Sequence, residues 1–264
     1  MIPRLLLVSL SLFAAAGLAA EPLRADAPRI AIIIDDLGYQ LEAGQRSINL
    51  PGPIAYAILP STPRGTKLAE DAFANGKDVL LHLPLEAVSE SKGPEPGGIL
   101  LDMSRDVLSE TLTKNLESVP HAIGVNSHRG SLLTRHPGHM RWLMEDLRGR
   151  GDLIFIDSYT THKSVALQVA HEAGVPAVKR DVFLDPDRSA ETVEREFRRL
   201  KDLARENGAA VGIGHPYPAT LALLERELSR LEDDGFELVS ISELVLANYE
   251  HDAGAMVRRE DQTR

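Results

Sequence analysis

Cysteine is absent from the 264 residues of this chain. The absence excludes disulfide bonds, thiolate metal sites and a cysteine nucleophile, so any metal must be held by histidine and carboxylate side chains. Aromatic residues make up 5% of the chain with a single tryptophan, which is few for a protein that stacks on long sugar chains. Lysine and arginine total 29 against 39 aspartate and glutamate residues, and this acidic balance argues against nucleic-acid binding.

Long apolar runs are confined to the first 20 residues of the chain. Arg4 is followed by an apolar run and then by small residues up to Ala20, a pattern typical of a cleaved signal peptide. The alternative is an uncleaved membrane anchor, for which the apolar run is short. We therefore expect a signal peptide over residues 1–20, a short tether over residues 21–28 and no membrane span after cleavage.

Strand and helix signals alternate along the rest of the chain. Short aliphatic runs predict strands, and amphipathic stretches that end at glycine or proline predict helices. This alternation is typical of parallel strands joined by helices, in a barrel or a doubly wound sheet. No linker divides the chain, so we expect one α/β domain over residues 29–250 and a polar tail over residues 251–264. The low-complexity stretch at residues 89–98 is expected to be a surface loop, and a flap over a site is one interpretation of it.

Carboxylate and imidazole side chains follow five of the predicted strands. In parallel α/β folds the active site lies at the carboxyl ends of the strands, so polar groups at these positions are candidates for chemistry. The candidates are Asp35, Asp36, His82, His128, Asp157 and His215.

Asp35 and Asp36 are adjacent and follow the aliphatic run of residues 30–34. They could cap the next turn, where aspartate is common. However, two adjacent carboxylates at the end of a buried strand repel each other, and this is costly unless a cation or a proton lies between them. We therefore interpret the pair as part of a functional site.

Three further candidates have both a structural and a functional interpretation. His82 is either a core histidine bonded to the backbone or a metal ligand, and the company of Asp36 favours ligation. Glu86, four residues later, either reaches the same site or faces solvent. His128 lies among small and polar residues, which suits a loop that approaches a ligand, although a surface turn is the alternative.

Asp157 either caps the helix predicted to begin at residue 163 or takes part in the site. His215 follows a glycine-rich strand and precedes a proline-rich loop, which favours an acid–base role. One aspartate and two histidines with open coordination positions describe a catalytic zinc or similar divalent site. Such a site, with a free carboxylate and a histidine nearby, suits metal-assisted hydrolysis of an ester or an amide.

Five segments of the chain resemble, in order, the motifs of the divergent polysaccharide deacetylases. They are IAIIIDDLGY (30–39), LHLPLE (81–86), GVNSHRGS (124–131), FIDS (155–158) and GIGHP (212–216). The resemblance implies a distorted (β/α) barrel with about seven parallel strands in a single domain. It also implies periplasmic residence in a Gram-negative cell and metal-dependent removal of acetyl groups from a carbohydrate or cell-envelope glycan.

The resemblance assigns roles by position in the motifs. Asp35 becomes the general base, Asp36 a metal ligand and His215 the general acid. Where the typical second motif has a second histidine this chain has Glu86, so His82 remains as a ligand and His128 is expected to supply the missing imidazole. Asp157 is retained as a further catalytic candidate, and zinc is the expected metal. The alternative function is a non-catalytic exported protein that keeps a metal cleft and binds a glycan or an envelope partner.

Overall fold

The computed structural model describes residues 27–89 and 95–262, with side chains described as far as residue 251. The predicted signal peptide, most of the predicted tether and residues 90–94 of the low-complexity loop lie outside the described residues. Within the described ranges, none of the helices combines the length and the apolar content that a membrane crossing needs.

Nine parallel strands form one sheet in the described part of the chain. β1 to β9 are Arg29–Leu37, Ala55–Ile58, Val79–Leu85, Ala122–Arg129, Ile154–Asp157, Ala177–Lys179, Val182–Phe183, Ala209–Gly214 and Glu237–Leu238. Their order is β6-β5-β4-β3-β2-β1-β8-β7, and β9 pairs with the start of β1.

The two outer strands of this path, β6 and β7, are consecutive in the chain. Arg180 donates its backbone N–H to Asp157 of β5, and Asp181 donates its own to Val211 of β8, both at 2.9 Å. The chain therefore joins the two edges of the curled sheet. The predicted fold, a distorted β/α barrel in a single domain, is confirmed, with the short strands β7 and β9 adding to the expected number.

Eight α-helices lie within the described ranges; the first seven connect strands and the eighth follows β9. α1 to α8 are Leu41–Ile48, Gly65–Ala74, Arg105–Ser118, Pro137–Gly149, Ala166–Ala173, Ala190–Asn207, Pro218–Glu227 and Ile241–Gln262. The sequence patterns did not predict α1, because it has few apolar residues and contains Gly44. A Cβ on Gly44 would lie 2.7 Å from the methyl carbons of Leu68 in α2, so close helix packing requires the glycine. α8 continues to Gln262, so most of the tail predicted at residues 251–264 is helical.

Alternate residues of β1 enter two separate cores, as the two-residue period of a strand dictates. Ile30, Ile32 and Ile34 pack beneath the helices. Ala31 and Ile33 face the barrel interior, where small and branched residues of the other strands and the first turns of α8 fill the space. Because the interior is packed with side chains, chemistry is restricted to the loops and strand ends at the rim.

Candidate metal centre

The carboxyl end of β1 departs from regular strand geometry. Adjacent strand residues normally point to opposite faces, which would separate Asp35 from Asp36. Here Asp36 has a φ of +60°, and the pairing of β1 with β2 shifts register between Ile34 and Leu37. As a result, Oδ2 of Asp35 lies 3.6 Å and Oδ1 of Asp36 lies 3.3 Å from Nε2 of His82. A left-handed aspartate costs about 1–3 kcal/mol and is typical of functional sites.

Asp36, His82 and His128 converge from three neighbouring or nearby strands, β1, β3 and β4. Nδ1 of His128 lies 3.2 Å from Oδ1 of Asp36 and 2.9 Å from Nε2 of His82. One potential ligand atom of each residue lies within 4.8 Å of the other two. These are the three metal ligands predicted from the sequence.

The donor set fits a divalent metal on two grounds. One carboxylate and two imidazoles are ligands that catalytic zinc commonly takes. In addition, Oδ1 of Asp36 is buried and makes no hydrogen bond of acceptable geometry, although both imidazoles face it. A cation among the three side chains would satisfy that oxygen. Burial alone would raise the pKa of Asp36, but the imidazoles of His128 and His82 more than offset it and hold the pKa well below its usual range.

Asp35 lies beside this cluster and is almost fully buried. Its Oδ1 accepts a hydrogen bond from Nδ2 of Asn126 at 2.6 Å, and Oδ1 of Asn126 accepts one from the Ser158 hydroxyl at 2.5 Å. Burial raises the pKa of Asp35, although His82 and His215 oppose the shift. A carboxylate with a raised pKa beside a metal cluster is suited to accept a proton.

His215 faces the cluster from β8. Its Nε2 lies 3.6 Å from Oδ2 of Asp36, and its Nδ1 lies 2.9 Å from Oδ1 of Asp185. The other oxygen of Asp185 accepts hydrogen bonds from the backbone N–H of His215 at 2.7 Å and from Thr220 at 2.6 Å. Burial lowers the pKa of His215, but the Asp185 and Asp35 carboxylates more than compensate and raise it.

Asp185 and Asn126 were not assigned roles from the sequence. Asp185 follows the weakly predicted strand β7 and so shares the signal used elsewhere, an acid after an apolar run. Asn126 was visible in its motif, but only the fold shows that its amide binds Asp35.

Aromatic rings gather around His215 despite their scarcity in the chain. Tyr217 stacks on the imidazole with ring centroids 5.2 Å apart, and Phe183 meets it edge-on at the same distance. The guanidinium of Arg188 lies 4.2 Å from the Tyr217 ring centre. The rim of the site thus has apolar ring surface beside polar groups.

Glu86 fastens a loop and does not join the metal cluster. Its Oε2 accepts a hydrogen bond from the backbone N–H of Leu101 at 2.6 Å, and its carbonyl accepts from Leu132 and Leu133. The residue that stands in the typical ligand position thus anchors neighbouring chain segments, while His128 supplies the imidazole.

Asp157 is engaged by the loop that follows β5. Its Oδ1 accepts from the backbone N–H of Tyr159 at 2.9 Å, and its Oδ2 accepts from the Ser164 hydroxyl at 2.6 Å. Ser164 in turn accepts from the N–H of Ala166, the first residue of α5. Asp157 therefore bonds to the loop between β5 and α5 and to no N–H of the helix, which begins at residue 166 and not at 163. The structure does not bring it into the cluster of Asp36, His82 and His128.

Residues 32–245 match the family described as divergent polysaccharide deacetylase. The chain belongs to this family. The resemblance drawn from the five motifs is thus confirmed. Among the relatives of this chain is an uncharacterized protein of Haemophilus influenzae (strain ATCC 51907 / DSM 11121 / KW20 / Rd). It is 38% identical over 216 residues, which cover 82% of this chain and 76% of the relative.

Solved structures support the same fold. An uncharacterized protein, ATU2773 from Agrobacterium tumefaciens C58, superposes with a TM-score of 0.79 at 24% identity, over 84% of this chain and 91% of that one. The T48 deacetylase, solved with substrate, superposes with a TM-score of 0.52 at 12% identity, over 84% of this chain and 92% of that one. At these identities the likeness is one of fold.

Proposed function

We propose that this protein is a divalent-metal-dependent hydrolase that removes acetyl groups from a glycan. The observation that carries the proposal is the convergence of Asp36, His82 and His128, with Asp35 and His215 beside them. Membership in the divergent polysaccharide deacetylase family and the shared fold of a deacetylase solved with substrate support the same reaction. Zinc is the proposed metal because its catalytic sites commonly use histidine and carboxylate ligands.

Each polar residue at the rim has a definable part in that reaction. A divalent ion held by the three ligands would supply an activated water and polarise the acetyl carbonyl. Asp35 would act as the general base through Oδ2, since its Oδ1 accepts a hydrogen bond from Asn126. His215 donates a proton to the leaving oxygen or nitrogen through Nε2, which faces the cluster. Asp185 accepts a hydrogen bond from Nδ1–H of His215 and keeps the ring in that orientation.

The proposed substrate is an acetylated cell-envelope glycan, and the proposed location is the periplasm. The signal-like residues 1–20 support export. Tyr217 and Phe183 beside His215 offer ring faces and edges for a sugar. Because the chain has few aromatic residues in all, a short stretch of glycan suits the site better than a long polysaccharide.

The test combines metal content with acetate release. The protein is purified without chelator, its bound metal is measured, and acetate release is followed on N- and O-acetylated glycans. We expect a bound divalent ion and release that a chelator abolishes. Asp35→Asn should abolish release while zinc affinity is retained, and the exposed Asp106→Asn serves as the matched control.

Each outcome separates the hypotheses. Failure of the wild-type protein to bind a divalent metal contradicts the hydrolase. Metal binding without acetate release from any acetylated glycan favours the non-catalytic binding protein instead. Full activity of Asp35→Asn would show that the base is wrongly assigned.

A further inference from the structure

The two ring nitrogens of His128 face different surroundings. Nδ1 faces the metal cluster, 3.2 Å from Oδ1 of Asp36. Nε2 faces away from it and lies 2.9 Å from Oε2 of Glu95. Glu95 belongs to the low-complexity loop that follows β3, and sequence patterns assigned it no role.

This contact determines where the proton of His128 resides. A carboxylate only accepts hydrogen bonds, and a neutral imidazole has one N–H and one lone pair. Nδ1 also faces a carboxylate, Oδ1 of Asp36 at 3.2 Å, but that oxygen makes no hydrogen bond. The shorter contact, 2.9 Å between Nε2 and Glu95, therefore favours the form of His128 with the proton on Nε2. The lone pair then lies on Nδ1, the nitrogen that faces Asp36 and His82. Metal-bound histidines commonly donate their other N–H to a carboxylate, which fixes both tautomer and ring orientation.

Glu95 is itself held in place by the surrounding chain. Its second oxygen lies 3.3 Å from Nε of Arg129, and its carbonyl accepts a hydrogen bond from Gly98 at 2.9 Å. Gly97 has a φ of +75° and its carbonyl accepts from the buried Asn115 side chain at 2.7 Å. The following residues bind the end of β3, where Ile99 forms a bridge with Leu85 and donates its N–H to the Pro84 carbonyl at 2.9 Å. The contact with Arg129 and the hydrogen bonds of the surrounding backbone thus hold the Glu95 carboxylate against His128.

His82 offers a contrast within the same cluster. Its Nδ1, the nitrogen that faces away from the cluster, is buried and has no hydrogen-bond partner, so no acceptor holds a proton on that side of the ring. We propose that Glu95 is a positioning residue for the metal: its carboxylate accepts a hydrogen bond from Nε2–H of His128 and so leaves the lone pair of Nδ1 free to bind the metal. The proposal rests on the metal site proposed above and makes zinc affinity depend on a residue of the β3–α3 loop.

The test measures zinc affinity and the His128 tautomer in the full-length mature protein. Competition with a chromophoric chelator gives the affinity for Zn²⁺ alone. Long-range ¹H–¹⁵N spectra of the metal-free protein report which ring nitrogen of His128 carries the proton. We expect Glu95→Ala to weaken zinc binding by about 10- to 100-fold and to lose the preference for Nε2–H. Glu95→Gln retains an accepting oxygen and should have the smaller effect.

Glu110→Gln is the matched control, since Glu110 is an exposed carboxylate paired with Lys114 on α3. It should leave both measurements unchanged. The proposal is overturned if Glu95→Ala matches this control in zinc affinity and keeps the wild-type tautomer. Absence of zinc binding by the wild-type protein overturns it as well. If Glu95→Ala weakens zinc binding in a protein that releases no acetate, the hydrolase is contradicted and the role of Glu95 stands.

Discussion

The ends of β1 and β5 are alike in sequence and different in structure. In each strand an apolar run leads to aspartate at or near the carboxyl end, yet Asp36 lies among imidazoles while Asp157 lies among hydrogen-bond donors of its own loop. β1 is followed by a short connection whose glycine has positive φ, and β3 and β4 bring His82 and His128 to it. The role of an acid at a strand end is therefore decided by the donors that other segments bring to it.

One residue physically connects the two ends. Asn126 of β4 donates to Asp35 and accepts from Ser158, the residue after Asp157. The Ser158 backbone N–H also donates to the Ser127 hydroxyl at 3.0 Å. The β5 end thus acts as a support for the β1 end, through a buried chain of hydrogen bonds. Substitutions at the β1 end should lower zinc affinity, whereas substitutions at the β5 end should lower the free energy of unfolding.

The largest effect is expected at the β1 end. Asp36→Ala removes a carboxylate ligand and should lower zinc affinity by more than the roughly 100-fold that loss of a supporting contact causes. Chelator competition measures the change. Retention of zinc affinity within about tenfold of wild type would remove Asp36 from the metal site.

Asn126→Ala should act on stability through the connecting hydrogen bonds. It leaves the buried Oδ1 of Asp35 without its amide donor, while the Ser158 hydroxyl keeps its hydrogen bond to the Ser127 carbonyl, and should lower the free energy of unfolding by about 1–3 kcal/mol. Urea denaturation gives the value, with the exposed Asn207→Ala as control. A loss no larger than that of the control would show that the two strand ends are independent.

Asp157→Ala sharpens the comparison from the β5 end. The backbone N–H of Tyr159 and the Ser164 hydroxyl lose their acceptor, so the free energy of unfolding should fall by about 1–2 kcal/mol. Zinc affinity should match that of Asp152→Ala, an exposed acid just before the same strand. A clear fall in zinc affinity would instead place Asp157 in the site, as the catalytic interpretation requires.

Ser164→Ala should have the smallest effect. It removes one donor to Asp157 and the acceptor for the first N–H of α5, at a cost of about 1 kcal/mol. Thermal unfolding of this variant and of Asp157→Ala, together with the double variant, measures the coupling. Additive losses would contradict the shared hydrogen bond, because residues in contact should give less than the sum.

Sequence patterns predicted the parallel strands, most of the helices and the three converging side chains. The strands and helices were predictable because hydrophobic periodicity is a local property of the sequence. The three side chains were predictable because the carboxyl ends of parallel strands lie at the same end of a barrel. Helix α1 was missed because Gly44 is a poor helix former. Its close contact with Leu68 of α2, which leaves little room for a side chain, is a long-range contact that the local sequence does not show. Asp185 was missed because β7 has only two residues and its signal is weak.

The sequence by itself determined which strands end in acids and histidines, and the absence of cysteine already required that any metal ligand be one of these. It named Asp36, His82 and His128 as ligands but left the roles of Glu86 and Asp157 open, because residues that are equivalent by pattern differ only in long-range contacts. Tertiary structure decided that Asp36 turns into the left-handed region beside two imidazoles, that Glu86 bonds to Leu101, and that Asp157 faces its own loop. The physical reason is that hydrogen bonds and ion contacts select a partner by distance in space, whereas a motif records only distance along the chain.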